Sequence, residues 1–134
     1  MIRQLDKVFV LDTKNTTYCF QVLETGHLEH LYYGKKIRIE EASDVRAIEE
    51  KHAFPPGNGN VYDSQFPKFA LEDIRLEMSA YGKGDIREPF IEVIHRDGSY
   101  TSDFLYEKAE MYDDKKSLDT LPSAYEEAGK VSEL

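Results

Sequence analysis

Over the first third of the chain, apolar and polar positions alternate with a period of two. Three runs carry the pattern: Lys7-Val8-Phe9-Val10-Leu11, Thr17-Tyr18-Cys19-Phe20-Gln21-Val22-Leu23 and Leu28-Glu29-His30-Leu31-Tyr32-Tyr33. Their aromatic and β-branched side chains suit a pleated surface, and period two places alternate residues on opposite faces. Asp12-Thr13-Lys14-Asn15 and Thr25-Gly26 separate the runs with turn-forming residues, so the spacing predicts an antiparallel meander. Later in the chain Phe90-Ile91-Glu92-Val93-Ile94-His95 and Tyr100-Thr101-Ser102-Asp103-Phe104-Leu105-Tyr106 flank Arg96-Asp97-Gly98-Ser99. Asp-Gly between alternating runs predicts a hairpin closed by a two-residue turn, because Gly adopts positive φ without strain.

Helical signal is scarce. Ala42 to Glu50 offers Ser43 as an N-cap with Val45 and Ile48 three apart, which predicts one short helix or helical turn near 43–50. Residues 52–69 hold Pro55, Pro56 and Pro67 together with Gly57-Asn58-Gly59-Asn60, and show no period. So long a stretch reads either as a binding loop or as a flexible connector. At the other end, Val131-Ser132-Glu133-Leu134 opens a new alternating run, and the fold is expected to continue past it.

Composition narrows the function classes. In 134 residues, 17 Lys+Arg stand against 26 Asp+Glu, a formal charge of -9, which argues against a phosphate backbone as partner. The chain is 40% hydrophobic, enough for a core, and its length matches one domain. Charges interrupt the apolar residues of Met1 to Lys7, so no signal-peptide core or membrane span is predicted. The single Cys19 excludes an internal disulfide and a multi-cysteine zinc site. With no neighbouring cation to activate it, it reads as a core residue of an intracellular, cytoplasmic protein.

Candidate chemistry is thin. The carboxylate neighbours Glu40-Glu41, Glu49-Glu50, Asp113-Asp114 and Glu126-Glu127 point to opposite faces if extended, which denies them an acid/base dyad. His27 and His30 point apart on a strand and read as packing or hydrogen-bonding residues; no metal site and no cofactor are expected. Tyr81-Gly82-Lys83-Gly84-Asp85-Ile86-Arg87-Glu88-Pro89 has the glycines of a phosphate cradle but lacks the following Lys-Ser/Thr and helix. Gly82, Gly84, Asp85 and Arg87 are therefore assigned to a structured turn at an interface.

Taken together, these segments resemble the N-terminal domain of glycoside hydrolase family 36 α-galactosidases. The likeness lies in Asn15-Thr16-Thr17-Tyr18, in Gly26-His27-Leu28-Glu29-His30-Leu31-Tyr32-Tyr33-Gly34-Lys35, and in Tyr81-Gly82-Lys83-Gly84-Asp85 with Arg87 and Pro89. Asp97-Gly98-Ser99 and Leu121-Pro122 with Ala124-Tyr125 continue it. The resemblance implies an all-β antiparallel sandwich, a supersandwich, occupying 1–134 as a single N-terminal domain of a longer chain. A (β/α)8 barrel outside this sequence would hold both catalytic aspartates and cleave α-galactosides such as melibiose and raffinose with retention. No catalytic residue is therefore assigned here.

The resemblance also implies a homo-oligomer in which a loop of this domain, with an Asp-Arg-x-Phe pattern, reaches a neighbouring subunit's sugar site. The corresponding residues are Lys51-His52-Ala53-Phe54. Phe54 matches and could stack on a sugar face. Lys51 stands in place of Asp, which implies altered specificity, a shifted register that uses Glu49 or Glu50, or loss of the contact. The bland alternative is a free-standing β-sandwich that binds carbohydrate or another protein.

Overall fold

The computed structural model describes residues 1–49, 61–85, 87–116, 120–122 and 131–134. Four strands, β1 (Ile2–Leu5), β2 (Val8–Asp12), β3 (Thr16–Val22) and β4 (Leu28–Lys35), form one antiparallel sheet in sequential order. The three predicted runs are β2, β3 and β4, each displaced by no more than two residues at an end. β1 is the added element: it has only two apolar residues, and it pairs Leu5 with Val8 across a tight turn in which Asp6 takes φ +56. Asp tolerates that region better than most residues. A register shift between Cys19 and Phe20 inserts Leu31 as an extra residue on β4.

Alternation then builds two faces. Val8, Val10, Cys19 and Leu31 meet Ile39 and Val45 from the covering segment 37–48 in the main core. The predicted helical turn is a 3-10 helix over Ala42–Ala47 that delivers Val45 into this core. Its N-cap is Glu41, not Ser43: the Asp44 carboxylate accepts from the N–H groups of Glu40 and Glu41 at 2.7 and 3.1 Å, so the cap forms two residues early. The opposite face carries Phe9 stacked on Phe20, with ring centroids 4.9 Å apart, and Tyr106 leaning on Phe9 at 5.9 Å.

The second half packs around β4. Leu76 bridges Glu29, with His30 N–H donating to the Arg75 carbonyl at 2.7 Å and Glu77 N–H to that of Leu28 at 2.9 Å. A 3-10 turn at Leu71–Asp73 precedes this segment, and the two-residue strands β5 (Ala80–Tyr81) and β6 (Gly84–Asp85) follow it. The predicted hairpin turn is present but wider. His95 N–H donates to the Ser99 carbonyl and Gly98 N–H to that of His95, both at 2.9 Å, with Gly98 at φ +83. That is a three-residue loop with Gly in the left-handed position. Beyond it, no ladder joins 90–94 to 100–106 among the described residues. Tyr112 and Glu133 instead form an antiparallel bridge. The molecule is an all-β, sandwich-like domain.

Candidate functional site

The turn around Gly82 and Gly84 is built by backbone constraints. Ala80 and Lys83 exchange N–H···O bonds at 3.1 and 2.9 Å, and Gly82 N–H donates to the Asp85 carbonyl at 3.0 Å. Gly82 and Gly84 sit at φ +74 and +99, where a side chain is strained. At Gly84 the space is closed as well: a Cβ would lie 2.4 Å from Leu76 Cδ1. The Asp85 carboxylate accepts from the N–H groups of Arg87 and Glu88 at 2.7 and 3.1 Å, which turns the chain toward Pro89. Asp85 therefore anchors the turn through backbone amides. Arg87 is exposed, and Tyr81 stands edge-on to Tyr100 at 6.3 Å.

Beside this turn lies a side-chain knot that no local pattern in the sequence marks. His27 is buried, its Nδ1 2.8 Å from Thr25 Oγ1 and its Nε2 2.8 Å from Asp103 Oδ1. Asp103 Oδ2 accepts from the Tyr62 hydroxyl at 2.8 Å and lies 3.9 Å from Lys83 Nζ. Lys83 also sits 4.7 Å above the Tyr62 ring, a cation–π geometry, and His27 meets that ring edge-on at 4.7 Å. Burial, followed by donation to Asp103, pushes the Tyr62 phenol up to about 12, so it remains a donor at neutral pH. Nothing local in sequence marks Asp103 for this role, since 76 positions separate it from His27.

A second knot joins β3 and β4 to residue 77. The Tyr18 hydroxyl and His30 Nδ1 both reach the Glu77 carboxylate, the latter at 2.9 Å. Burial and the Glu77 contact push the Tyr18 phenol well above its usual range. Both histidines thus act as hydrogen-bonding residues, although only His30 lies on β4; His27 sits just before its first residue, Leu28. Their partners, however, lie in the second half of the chain. Cys19 is fully buried, and burial pushes its thiol up to about 11, which removes it from thiolate chemistry.

Lys51, His52 and Phe54, the predicted sugar-contact residues, lie outside the described residues. So do Glu50 and the pair Glu126-Glu127, whereas Glu40-Glu41 and Asp113-Asp114 are exposed. On the near side of 50–60, Glu49 Oε1 accepts from Gln21 Nε2 at 3.1 Å, and the same amide reaches buried Glu29 at 2.8 Å. No group of three or more potential metal ligands occurs among the described residues. No helix of the described residues is long and apolar enough to cross a membrane.

Comparison with known proteins gives this arrangement a family. The model of the glycosyl hydrolase family 36 N-terminal domain matches residues 26–134. α-Galactosidase AgaA of Geobacillus stearothermophilus is 32% identical over 130 residues, which is 95% of this chain and 17% of that protein. The bifunctional α-galactosidase/sucrose kinase AgaSK of Mediterraneibacter gnavus is 29% identical over 96% of this chain and 13% of its own length. Among solved structures, the galactosidase domain of AgaSK superposes with a TM-score of 0.74 at 28% identity, covering 92% of this chain and 17% of that one. The family 36 α-galactosidase AgaB of Geobacillus stearothermophilus gives 0.74 at 29%, covering 96% and 17%. The chain thus spans less than a fifth of the length of these relatives. With its family model matched over most of its length and its strands superposing on solved members, the chain belongs to the N-terminal domain family of glycoside hydrolase family 36.

Proposed function

We propose that this chain is the non-catalytic N-terminal domain of a retaining, cytoplasmic α-galactosidase, whose separate barrel hydrolyses terminal α-galactosides such as melibiose and raffinose. The observation that carries this reading is the coverage: almost all of this chain aligns with α-galactosidases, yet it corresponds to under a fifth of each. Retaining hydrolysis needs two carboxyl groups about 5–5.5 Å apart across the sugar, one attacking and one protonating. Those groups belong to the barrel in this reading, and the domain supports assembly around it. Assayed with a nitrophenyl α-galactoside, the 134-residue chain releases no nitrophenol, whereas the longer enzyme does. Hydrolysis by the chain alone would overturn the assignment.

Within a homo-oligomer of that enzyme, Phe54 stacks on the apolar face of a galactoside in a neighbouring subunit's site, flanked by Lys51 and His52. The turn at Gly82, Gly84, Asp85 and Arg87 serves as an interface element, a role supported by its exposed Tyr81 and Arg87. Phe54→Ala in the longer enzyme raises KM several-fold or weakens the oligomer without abolishing turnover. An unchanged KM together with an unchanged sedimentation profile would remove the loop from the site.

A further inference from the structure

The loop between His95 and Ser99 holds the chain's single Asp-Gly step, Asp97-Gly98. Such a step is chemically labile, because glycine has no side chain to shield its nitrogen. The Gly98 nitrogen can attack Asp97 Cγ, forming an N–C bond while a carboxyl oxygen leaves as water. Water then opens the five-membered imide. Opening at the Asp97 main-chain carbonyl leaves the backbone running through the side-chain carboxyl, as isoaspartate. One water leaves and one returns, so mass is unchanged and neither an oxidant nor a cofactor is needed.

Both residues are exposed, and a Cβ on Gly98 would meet nothing within 4 Å, so bulk does not protect the step. Hydrogen bonding does. Gly98 N–H donates to the His95 carbonyl at 2.9 Å, a bond the attacking nitrogen has to give up. Asp97 Oδ1 accepts from the Ser99 N–H at 3.0 Å and hydroxyl at 2.8 Å, which ties the carboxylate to the residue beyond that nitrogen. Donation from Ser99, with His95 nearby, also holds the Asp97 carboxyl below its ordinary value, away from the protonated form that loses water. The stem is closed by His95 N–H on the Ser99 carbonyl at 2.9 Å, and by His95 Nε2 against the Thr101 carbonyl at 3.1 Å and Ser102 Oγ at 2.9 Å.

We propose that Asp97-Gly98 is a latent backbone-modification site, closed while the His95–Ser99 loop is intact and converted to isoaspartate once that loop opens. The isomer lengthens the backbone by one methylene and moves the carboxylate, so the loop cannot re-form its bonds on the same atoms. Conversion is therefore a mark left on chains that have opened here. The rearrangement frees an α-carboxylate, and the chemistry that recognises it is methyl esterification by a carboxyl methyltransferase using S-adenosylmethionine. This inference goes beyond the reading of the chain as a domain of an α-galactosidase and does not depend on it.

The test is prolonged incubation of the chain in mildly acidic buffer, folded and in guanidinium chloride. Peptide mass spectrometry with electron-transfer fragmentation then separates isoaspartate from aspartate at position 97. Reading that position alone keeps the Asn58-Gly59 step out of the signal. The folded chain converts roughly tenfold or more slowly than the denatured one, because only its open fraction reacts. Ser99→Ala removes the hydroxyl donor but keeps the amide, and in the folded chain it speeds conversion several-fold; Ser99→Thr, which restores a hydroxyl, returns the slow rate. Circular dichroism confirms that each variant is folded. Equal rates in the folded and denatured chain overturn the proposal, as does a denatured chain that forms no isoaspartate at 97. A folded Ser99→Ala chain that converts no faster than the unaltered one overturns it too. Should Ser99→Ala not fold, the comparison of the unaltered chain in its two states decides.

Discussion

Arg3, Asp12 and Thr17 form a polar triad at the edge of the main core. Thr17 is fully buried, donates to Asp12 Oδ1 at 2.6 Å and accepts from Ile37 N–H at 3.2 Å. Arg3 spans Asp12 Oδ2 at 2.9 Å and the Ile39 carbonyl at 2.6 Å, which ties β1 and β2 to the covering segment. Thr17→Val keeps the shape but strands the Ile37 amide, so the chain loses about 1–3 kcal/mol, measurable by thermal or urea denaturation. Burial by itself would raise the Asp12 carboxyl, yet donation from Thr17 and Arg3 prevails and holds it below its ordinary value. A carboxyl lowered by folding contributes stability above its unfolded value, about 3.9, and loses it as pH falls through the folded value. Asp12→Asn therefore flattens the acid limb of stability against pH, below about pH 4–5. Cys19 gives a second expectation at this scale: in the folded chain it resists thiol reagents at pH 8, while the urea-unfolded chain labels readily by mass spectrometry.

At the scale of elements, the turns were legible as turns but not in their geometry. The Asp97-Gly98 turn closes where it was expected, and Asp97 accepts from the Ser99 N–H at 3.0 Å and hydroxyl at 2.8 Å, which holds the wider loop. Loop width depends on which carbonyl the Gly98 amide finds, and local composition does not encode that choice. Gly84 marks the same limit. Its positive φ was foreseeable from the Gly-x-Gly pattern, whereas its contact with Leu76 arises because Leu76 is bridged to Glu29 of β4. Gly84→Ala combines backbone strain with a clash and lowers stability by about 2–4 kcal/mol. Adding Leu76→Ala relieves only the clash. A double-mutant cycle by denaturant unfolding therefore returns a favourable coupling, and strict additivity would refute the contact.

Across the whole molecule, several contacts between the sheet and the second half gather at the head of β4. The His27–Asp103–Tyr62 knot, the His30–Glu77–Tyr18 knot and the Tyr106 N–H to Gly26 carbonyl bond at 2.8 Å all lie there. Asp103→Ala leaves buried His27 without a partner on Nε2 and frees Tyr62, costing about 1–3 kcal/mol. It speeds amide exchange at Tyr106 more than at Val10, whereas a uniform change would show that the knot does not hold the two halves together. Exposed pairs such as Arg38–Glu40 at 2.7 Å contribute little by comparison, because water screens them.

The sequence by itself determined the strands β2 to β4, the helical turn that carries Val45, the inertness of Cys19 and the position of the turns. Each of these follows from neighbours within a few residues, through period, φ preference or the spacing of apolar side chains. Its ordered motifs also carry the resemblance to family 36. Only the tertiary structure decided that β1 completes the sheet, that Glu41 caps the helical turn, and that Asp103, Glu77 and Glu29 matter among 26 carboxylates. A carboxylate paired with a histidine many positions away looks locally like any other on the surface. What separates them is the pairing that comes with long-range packing, which no local pattern carries.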